Sequence, residues 1–472
     1  MTDTSANIIK FPEDFLWGVS ASHFQIEGYP TEVERRLSDW SRWTEEEGRI
    51  LDGSNADRAC EFHKRYLDDI ELIGELNLKA YRTSLNWAAL MPEAPGTAVS
   101  ERQFAPLVVE YYRDLFSRLK EKGIKVFVTL FHFCLPDWLA EEGGWTSERI
   151  ADEFEVFAAL ARKHFGDLVD YWMTVNEPMA YIYQGYVAGN WPPGASHDYL
   201  GAFVTIRSML AAHARAYHAL KGGDEAVQVS FANHWRPFAP ERKWSPLDLM
   251  VTHYRERVFN HIFPESIDAG GLKIPAPLSG RKEFRELEGE IAGLKKSMDF
   301  LAVNYYTREL SRFDLSWPPD LFGTRSNRAD YPVNGLGWEV YPEGFYRVLT
   351  SDINPYLTDI KGRQRPVFVT ENGFATLFSP ELSGGDWSLS DRERCDYLIS
   401  HLVVLKKAIE AGVNIKGYLH WSLTDNFEWS EGLTPRFGLV RVSYEDQVRK
   451  LRESAELYSK IAAANALETI DR

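Results

Sequence analysis

Lys125-Val126-Phe127-Val128-Thr129-Leu130-Phe131-His132 is the stretch on which the architecture turns. Between the lysine and the histidine only Thr129 interrupts the apolar side chains. A strand with one wet face alternates apolar and polar residues, whereas a strand covered on both faces reads as a nearly continuous apolar run, as in a parallel sheet flanked by helices. A helical pattern over 111–122 precedes it and closes at Lys122-Gly123, where glycine accepts the left-handed conformation that ends a helix. Another amphipathic pattern follows over 147–165. Further strand-like runs lie at 15–22, 79–85, 171–176, 227–233, 298–306, 366–370 and 415–423, making eight with the first. Helical patterns at 202–220, 343–357 and 392–411 fall between them.

Strands alternating with helices imply a parallel sheet with helices outside it. An open doubly wound sheet and a closed barrel both satisfy that pattern, and the strand ends separate them. They read Gln25, Arg82, His132, Asn176-Glu177, Asn233, Asn304 to Tyr306, Glu371 and Trp421. A barrel gathers its site from the C-terminal ends of many strands, so polar or aromatic groups closing nearly all of them favour an α/β fold of the (β/α)8 TIM-barrel type. The length of 472 residues suits about three average domains or one large barrel. We expect one catalytic barrel over 1–472, with an ordered core of 11–463. Two long connections, 309–339 (with Trp317-Pro318-Pro319 and Gly335-Leu336-Gly337-Trp338) and 376–390, are expected to be extended βα loops that shape the site entrance.

Composition narrows the function. Lys plus Arg is 53 and Asp plus Glu 69, a net charge of −16, which argues against a nucleic-acid binder because phosphate backbones are held by basic faces. No apolar run approaches the roughly 20 residues of a membrane span. Cys60, Cys134 and Cys395 are too scattered for a disulfide framework or a zinc site and suit a reducing interior, so a cytoplasmic location without membrane association is expected. His213, His218, His253 and His261 lack metal-binding spacing.

The chemistry-bearing signals are Met173-Thr174-Val175-Asn176-Glu177-Pro178 and Val369-Thr370-Glu371-Asn372-Gly373. Each carries a hydrophobic strand onto a glutamate, which is costly to desolvate unless it is solvated at the rim or held for a purpose. Two glutamates facing each other across a barrel mouth suit cleavage of a glycosidic bond, where a spacing of roughly 5 to 5.5 Å gives retention of configuration. One must stay ionised, which Arg82 and Tyr306 can favour; the other must hold a proton, which a neighbouring carboxylate encourages.

These motifs resemble glycoside hydrolase family 1, the β-glucosidase and β-galactosidase family, and the resemblance runs from Phe15 to about Tyr458. It extends to Phe15-Leu16-Trp17-Gly18 with Gln25-Ile26-Glu27-Gly28, and to 421–429 followed by Arg436-Phe437-Gly438-Leu439. The resemblance implies a retaining β-glycosidase that removes terminal non-reducing β-linked sugars, most simply glucose, with galactose or fucose as further options. It needs no metal or organic cofactor. It implies Glu371 as nucleophile, Glu177 as acid and base, and a small-carbohydrate pocket of Gln25, His132, Asn176, Trp421, Glu428 and Trp429. Trp338 resembles the aromatic wall for the leaving group, packing of its own loop being the alternative. Asn233 either binds near the acid and base or fixes a turn. Glu428 together with Phe437 favours an unphosphorylated sugar. Phe133-Cys134 departs from the Trp-Asp that follows the histidine in many relatives. Transfer to an acceptor other than water, and a non-catalytic sugar-binding barrel, remain as alternative functions; a homo-oligomer is compatible with the sequence.

Overall fold

A computed structural model describes residues 7–29, 37–93, 102–315, 323–326, 328–377 and 391–469. Its centre is a closed barrel of eight strands: β1 (Leu16–Ser20), β2 (Ala80–Ser84), β3 (Lys125–Phe131), β4 (Tyr171–Asn176), β5 (Gln228–His234), β6 (Leu301–Asn304), β7 (Val367–Glu371) and β8 (Ile415–Trp421). Neighbours pair in parallel all the way round, with β8 against β1 and β5 against β6. Every strand expected from the sequence is present. The open-sheet alternative is excluded, because closure leaves no edge strand.

Helices α1 (Phe62–Glu75), α2 (Pro106–Glu121), α3 (Ile150–Phe165) and α4 (Tyr199–Lys221) follow the first four strands. After β5 come α5 (Pro246–Glu256) and α6 (Ile262–Ala269), and α7 (Pro342–Arg347), α8 (Asp391–Glu410) and α9 (Glu453–Ala464) follow β6, β7 and β8. Gly222 closes α4 at φ 53°, a conformation that costs a residue with a Cβ about 1–2 kcal/mol. The single helix expected over 343–357 is instead broken into α7, a π-turn (Val348–Asp352) and a 3-10 turn (Asn354–Tyr356). Pro355 lies in that last turn, and its missing N–H prevents a continuous α-helical ladder.

Strand alternation sorts the barrel's side chains. Ala80, Phe127, Met173, Ala232, Phe300, Ala302, Phe368 and Leu419 form one buried apolar cluster inside it. Two residues further along the strands, on the same face, stand Arg82, Thr129, His234, Asn304, Thr370 and Trp421. A dry plug therefore supports a polar floor, the layered filling of this architecture. Of the long connections, Glu309–Phe313 pairs with Gly323–Arg325 and with Phe238–Pro240 in a three-stranded sheet. Trp317-Pro318-Pro319 and 378–390, expected at the entrance, lie outside the described residues. Among the described residues no helix is long and apolar enough to cross a membrane.

Candidate active site

Glu177 follows β4 immediately and adopts φ 40°, with its backbone N–H donating to the Ala232 carbonyl at 2.8 Å. Pro178 starts the next short helix, Pro178–Ile182, where a missing N–H does no harm. The chain thus turns sharply at the glutamate and leaves its carboxyl at the barrel mouth. Glu371 is the last residue of β7, in register with Asn304 through a bulge. Gly373 is required two residues later, because a Cβ there would collide with the Trp421 carbonyl oxygen.

One hydrogen-bonded network joins the two glutamates. The fully buried Arg82 donates through Nη1 to Glu371 Oε1 and through Nη2 to Asn176 Oδ1 at 2.6 Å. Tyr306 donates its hydroxyl to Glu371 Oε2 at 2.7 Å. On the other side, Asn304 Nδ2 donates to Glu177 Oε1 at 2.8 Å and to Asn176 Oδ1 at 3.1 Å, while Thr370 fixes Asn304 Oδ1 at 2.7 Å. Charge-assisted bonds of this kind are the stronger ones, and the burial of Arg82, Asn176, Asn304 and Glu371 strengthens them.

The cavity they face, about 730 Å³ including space open to solvent, is lined by Gln25, His132, Asn176, Glu177, Tyr306, Trp338, Glu371, Trp421, Glu428, Trp429 and Phe437. Gln25 Nε2 lies 3.4 Å from Glu428 Oε2 and donates to the Phe427 carbonyl at 2.8 Å. Trp421 Nε1 donates to Glu428 Oε1 at 3.4 Å. Asn176 Nδ2 meets His132 Nε2 at 3.1 Å, and burial depresses the His132 imidazole well below its ordinary range, keeping it neutral. Trp338 lies 5.6 Å from Tyr306 and 6.1 Å from Phe437, ring centre to ring centre, so it joins the site wall and does more than pack its own loop. Phe133 also lines the cavity, against Trp191 and Trp429.

One expected site residue is placed elsewhere. Asn233 alternates with Ala232, which faces the barrel interior, so its side chain points outward and donates to the Asn260 carbonyl at 3.0 Å. His234, the next residue, takes the inward position and sets Nδ1 at 3.1 Å from Glu177 Oε2. Reading the strand one residue further by its period of two would have found it. His213 on α4 is a buried strut between Thr174 Oγ1 at 2.6 Å and the Ser297 carbonyl at 2.8 Å.

The two carboxyls titrate as a pair. Burial, offset by the Arg82 guanidinium and increased by a charged Glu177, pushes Glu371 up to about 7. Burial also raises Glu177, but the His234 imidazole, the Asn304 amide and Arg236 hold it below its ordinary range. This order is the reverse of the sequence expectation; burial raises Glu371, and His234, which that expectation did not include, joins Asn304 and Arg236 in lowering Glu177. Burial lifts Glu428 well above the usual carboxylate range.

A family model described as glycosyl hydrolase family 1 matches residues 7–467. Beta-glucosidase A of Thermotoga maritima is 34% identical over 98% of this chain and 100% of its own length. Beta-glucosidase 42 of Arabidopsis thaliana is 34% identical over 94% of this chain and 92% of its own. Among solved structures, the Thermotoga maritima beta-glucosidase in complex with deoxynojirimycin superposes with a TM-score of 0.86 at 32% identity, covering 98% of this chain and 100% of that one.

Proposed function

Because the chain belongs to glycosyl hydrolase family 1 and is a retaining β-glycosidase, we propose that Glu371 is its nucleophile, Glu177 its general acid and base, and terminal β-linked glucose the sugar it releases. The convergence of both carboxyls, through Arg82, Asn176 and Asn304, on one cavity carries this assignment.

In the first step a Glu371 oxygen forms a bond to the anomeric carbon while the bond from that carbon to the glycosidic oxygen breaks. The Glu177 proton passes to the departing oxygen. The Arg82 ion pair and the Tyr306 hydroxyl are fixed on Glu371, and the departing oxygen accepts a proton only from Glu177. Substrate thereby selects, from the states holding one shared proton, the one with Glu371 ionised. Esterification then removes the Glu371 charge. In the second step Glu177 takes a proton from water, whose oxygen attacks the anomeric carbon and displaces the Glu371 carboxylate. Two inversions give retention.

Asn176, held from both sides, suits the 2-hydroxyl, whose hydrogen bond strengthens in the transition state. Gln25 and Glu428 suit adjacent hydroxyls, and Trp421 and Trp429 offer flat apolar faces to the ring. The concentration of glutamates on this side disfavours a phosphorylated sugar. Beta-glucosidases among the relatives, and a neighbour holding deoxynojirimycin, support glucose as the glycone. Free cysteines, two of them buried, fit a cytoplasmic setting. The test is hydrolysis of 4-nitrophenyl β-glucoside by the wild type and its loss in Glu371→Ala and in Glu177→Ala with the natural leaving group of a disaccharide. A wild type that binds glucose without turning over any β-glycoside would overturn the assignment.

A further inference from the structure

The connections after β1, β3 and β4 give Gln25, Phe133 and Trp191 to the catalytic cavity, and they also enclose a second one of about 1070 Å³, including space open to solvent. Asp39, Leu135, Tyr181 and Pro192 are among its walls. The Tyr181 ring stacks at 14° on Phe133, with 6.3 Å between ring centres, so the two cavities share an aromatic partition. The assigned reaction makes no use of the second.

Its walls are polar where a buried wall is normally apolar. Asp39, Trp43, Tyr181 and Tyr186 line it and are only 4%, 5%, 1% and 3% exposed. Asp39 Oδ1 accepts from the Trp40 and Leu135 backbone N–H groups at 2.8 and 3.0 Å. Its Oδ2, Trp43 Nε1 and the Tyr181 hydroxyl have no hydrogen-bond partner among the described residues. Leaving a buried polar atom unpaired is costly, and three of them around one cavity of ligand size point to a polar occupant.

The charges at the rim are already matched. Arg42 pairs with Asp137 at 2.9 Å, Arg49 pairs with Glu46 at 2.8 Å, and Asp198 Oδ1 accepts from the Gly201 N–H at 2.8 Å. Burial pushes Asp39 up to about 7, so near neutrality it meets a hydroxyl either as donor or as acceptor. An ionic ligand therefore gains little here, and an uncharged one with several hydroxyls gains most. Pro192, Pro193 and Tyr186 add apolar ring surfaces suited to the C–H face of a pyranose.

We propose that this cavity is a second carbohydrate site, holding a neutral pyranose through Asp39, Trp43 and Tyr181 beyond the aromatic partition from the catalytic glutamates. The pyranose is either free glucose or the end unit of a longer β-glucoside. The site needs no catalytic step, so it stands or falls separately from the assigned reaction. Solvent is the competing occupant.

For the test, the catalytic cavity is closed with 2,4-dinitrophenyl 2-deoxy-2-fluoro-β-glucoside, which leaves a fluoroglucosyl group on Glu371 that intact mass counts. Calorimetric titration of the labelled protein with glucose should then show one further site, with a dissociation constant of about 1–10 mM. Tyr181→Phe removes a hydroxyl that no described residue binds, and should weaken that site about fivefold, the worth of one neutral hydrogen bond. Ala195→Phe, at the cavity wall, should abolish it, while turnover of 4-nitrophenyl β-glucoside shows that the barrel is intact. Cellotetraose binding more tightly than glucose identifies a chain end as the ligand, and equal binding identifies the free sugar. Labelled protein that takes up no glucose, or takes it up equally in wild type, Tyr181→Phe and Ala195→Phe, overturns the proposal and leaves solvent as the occupant. If the inhibitor leaves no label, the assigned reaction is what fails, and a glucose site lost in Ala195→Phe still supports the cavity.

Discussion

Replacing Arg82 by methionine tests the electrostatics of the nucleophile most directly. Methionine fills much of the volume but removes the cation from a fully buried pair, and it frees Asn176 and Thr129 from Nη2 and Nε. Breaking a buried pair by deleting one partner costs about 3–5 kcal/mol, which would raise the pKa of the stranded carboxyl by about two to four. Glu371 starts at about 7 with the arginine in place. Its ionised fraction at pH 7 should therefore fall from about one half to between about one in 10² and one in 10⁴. The assay is kcat/KM for 2,4-dinitrophenyl β-glucoside between pH 5 and 9, a substrate whose departing group needs little help from Glu177. The variant should lose about 10²–10⁴ at pH 7 and recover about tenfold per pH unit towards pH 9. Arg82→Lys, keeping the charge without the fork, should lose less. A folded Arg82→Met enzyme within fivefold of wild type, with an unshifted profile, would refute the claim that Arg82 keeps the nucleophile charged.

Glu371→Gly should be inactive, and azide should restore turnover with an α-glycosyl azide product, because the small anion enters from the vacated face; a β-azide would reverse the two glutamate roles. His234→Ala removes a group that draws Glu177 down, so the alkaline limb of kcat/KM should move to higher pH, whereas an unmoved limb would make His234 a packing residue only. Glu27, buried and accepting a hydrogen bond from the Tyr112 hydroxyl at 2.8 Å, is raised by burial to about 7. Its contribution to stability is complete below the ordinary glutamate range and is lost as pH rises through 7, by up to about 3 kcal/mol. The melting temperature should fall between about pH 4.5 and 7 in the wild type, level off above that, and fall less in Glu27→Gln.

The barrel was legible because its signal is local and redundant. Each strand is an apolar run such as 125–132 that stops on a functional group, and eight such runs leave few ways to close a sheet. Glu177 and Glu371 were legible for the same reason, a charge where the run should continue. Interior and exterior positions on one strand were harder to tell apart, because in a strand buried on both sides both sets are apolar. At β5 the reading stopped at Asn233, which faces the helices, one residue short of His234, which faces the site. The break at 348–356 was missed because the apolar spacing of a π-turn differs little from that of an α-helix over five residues. The Arg236, Arg255 and Glu309 cluster joins the connection after β5 to the one after β6, and no spacing within either of them announces it.

The left-handed backbone at Glu177 sets the two histories of this residue against each other. Its conformation costs a side chain with a Cβ about 1–2 kcal/mol, and its carboxyl pays desolvation besides. Glycine or asparagine there would relieve both. A laboratory lineage propagated for heat resistance alone should drift toward those two residues at position 177 and shed its turnover as it hardened. Only a screen that also rewards product would hold the glutamate in place.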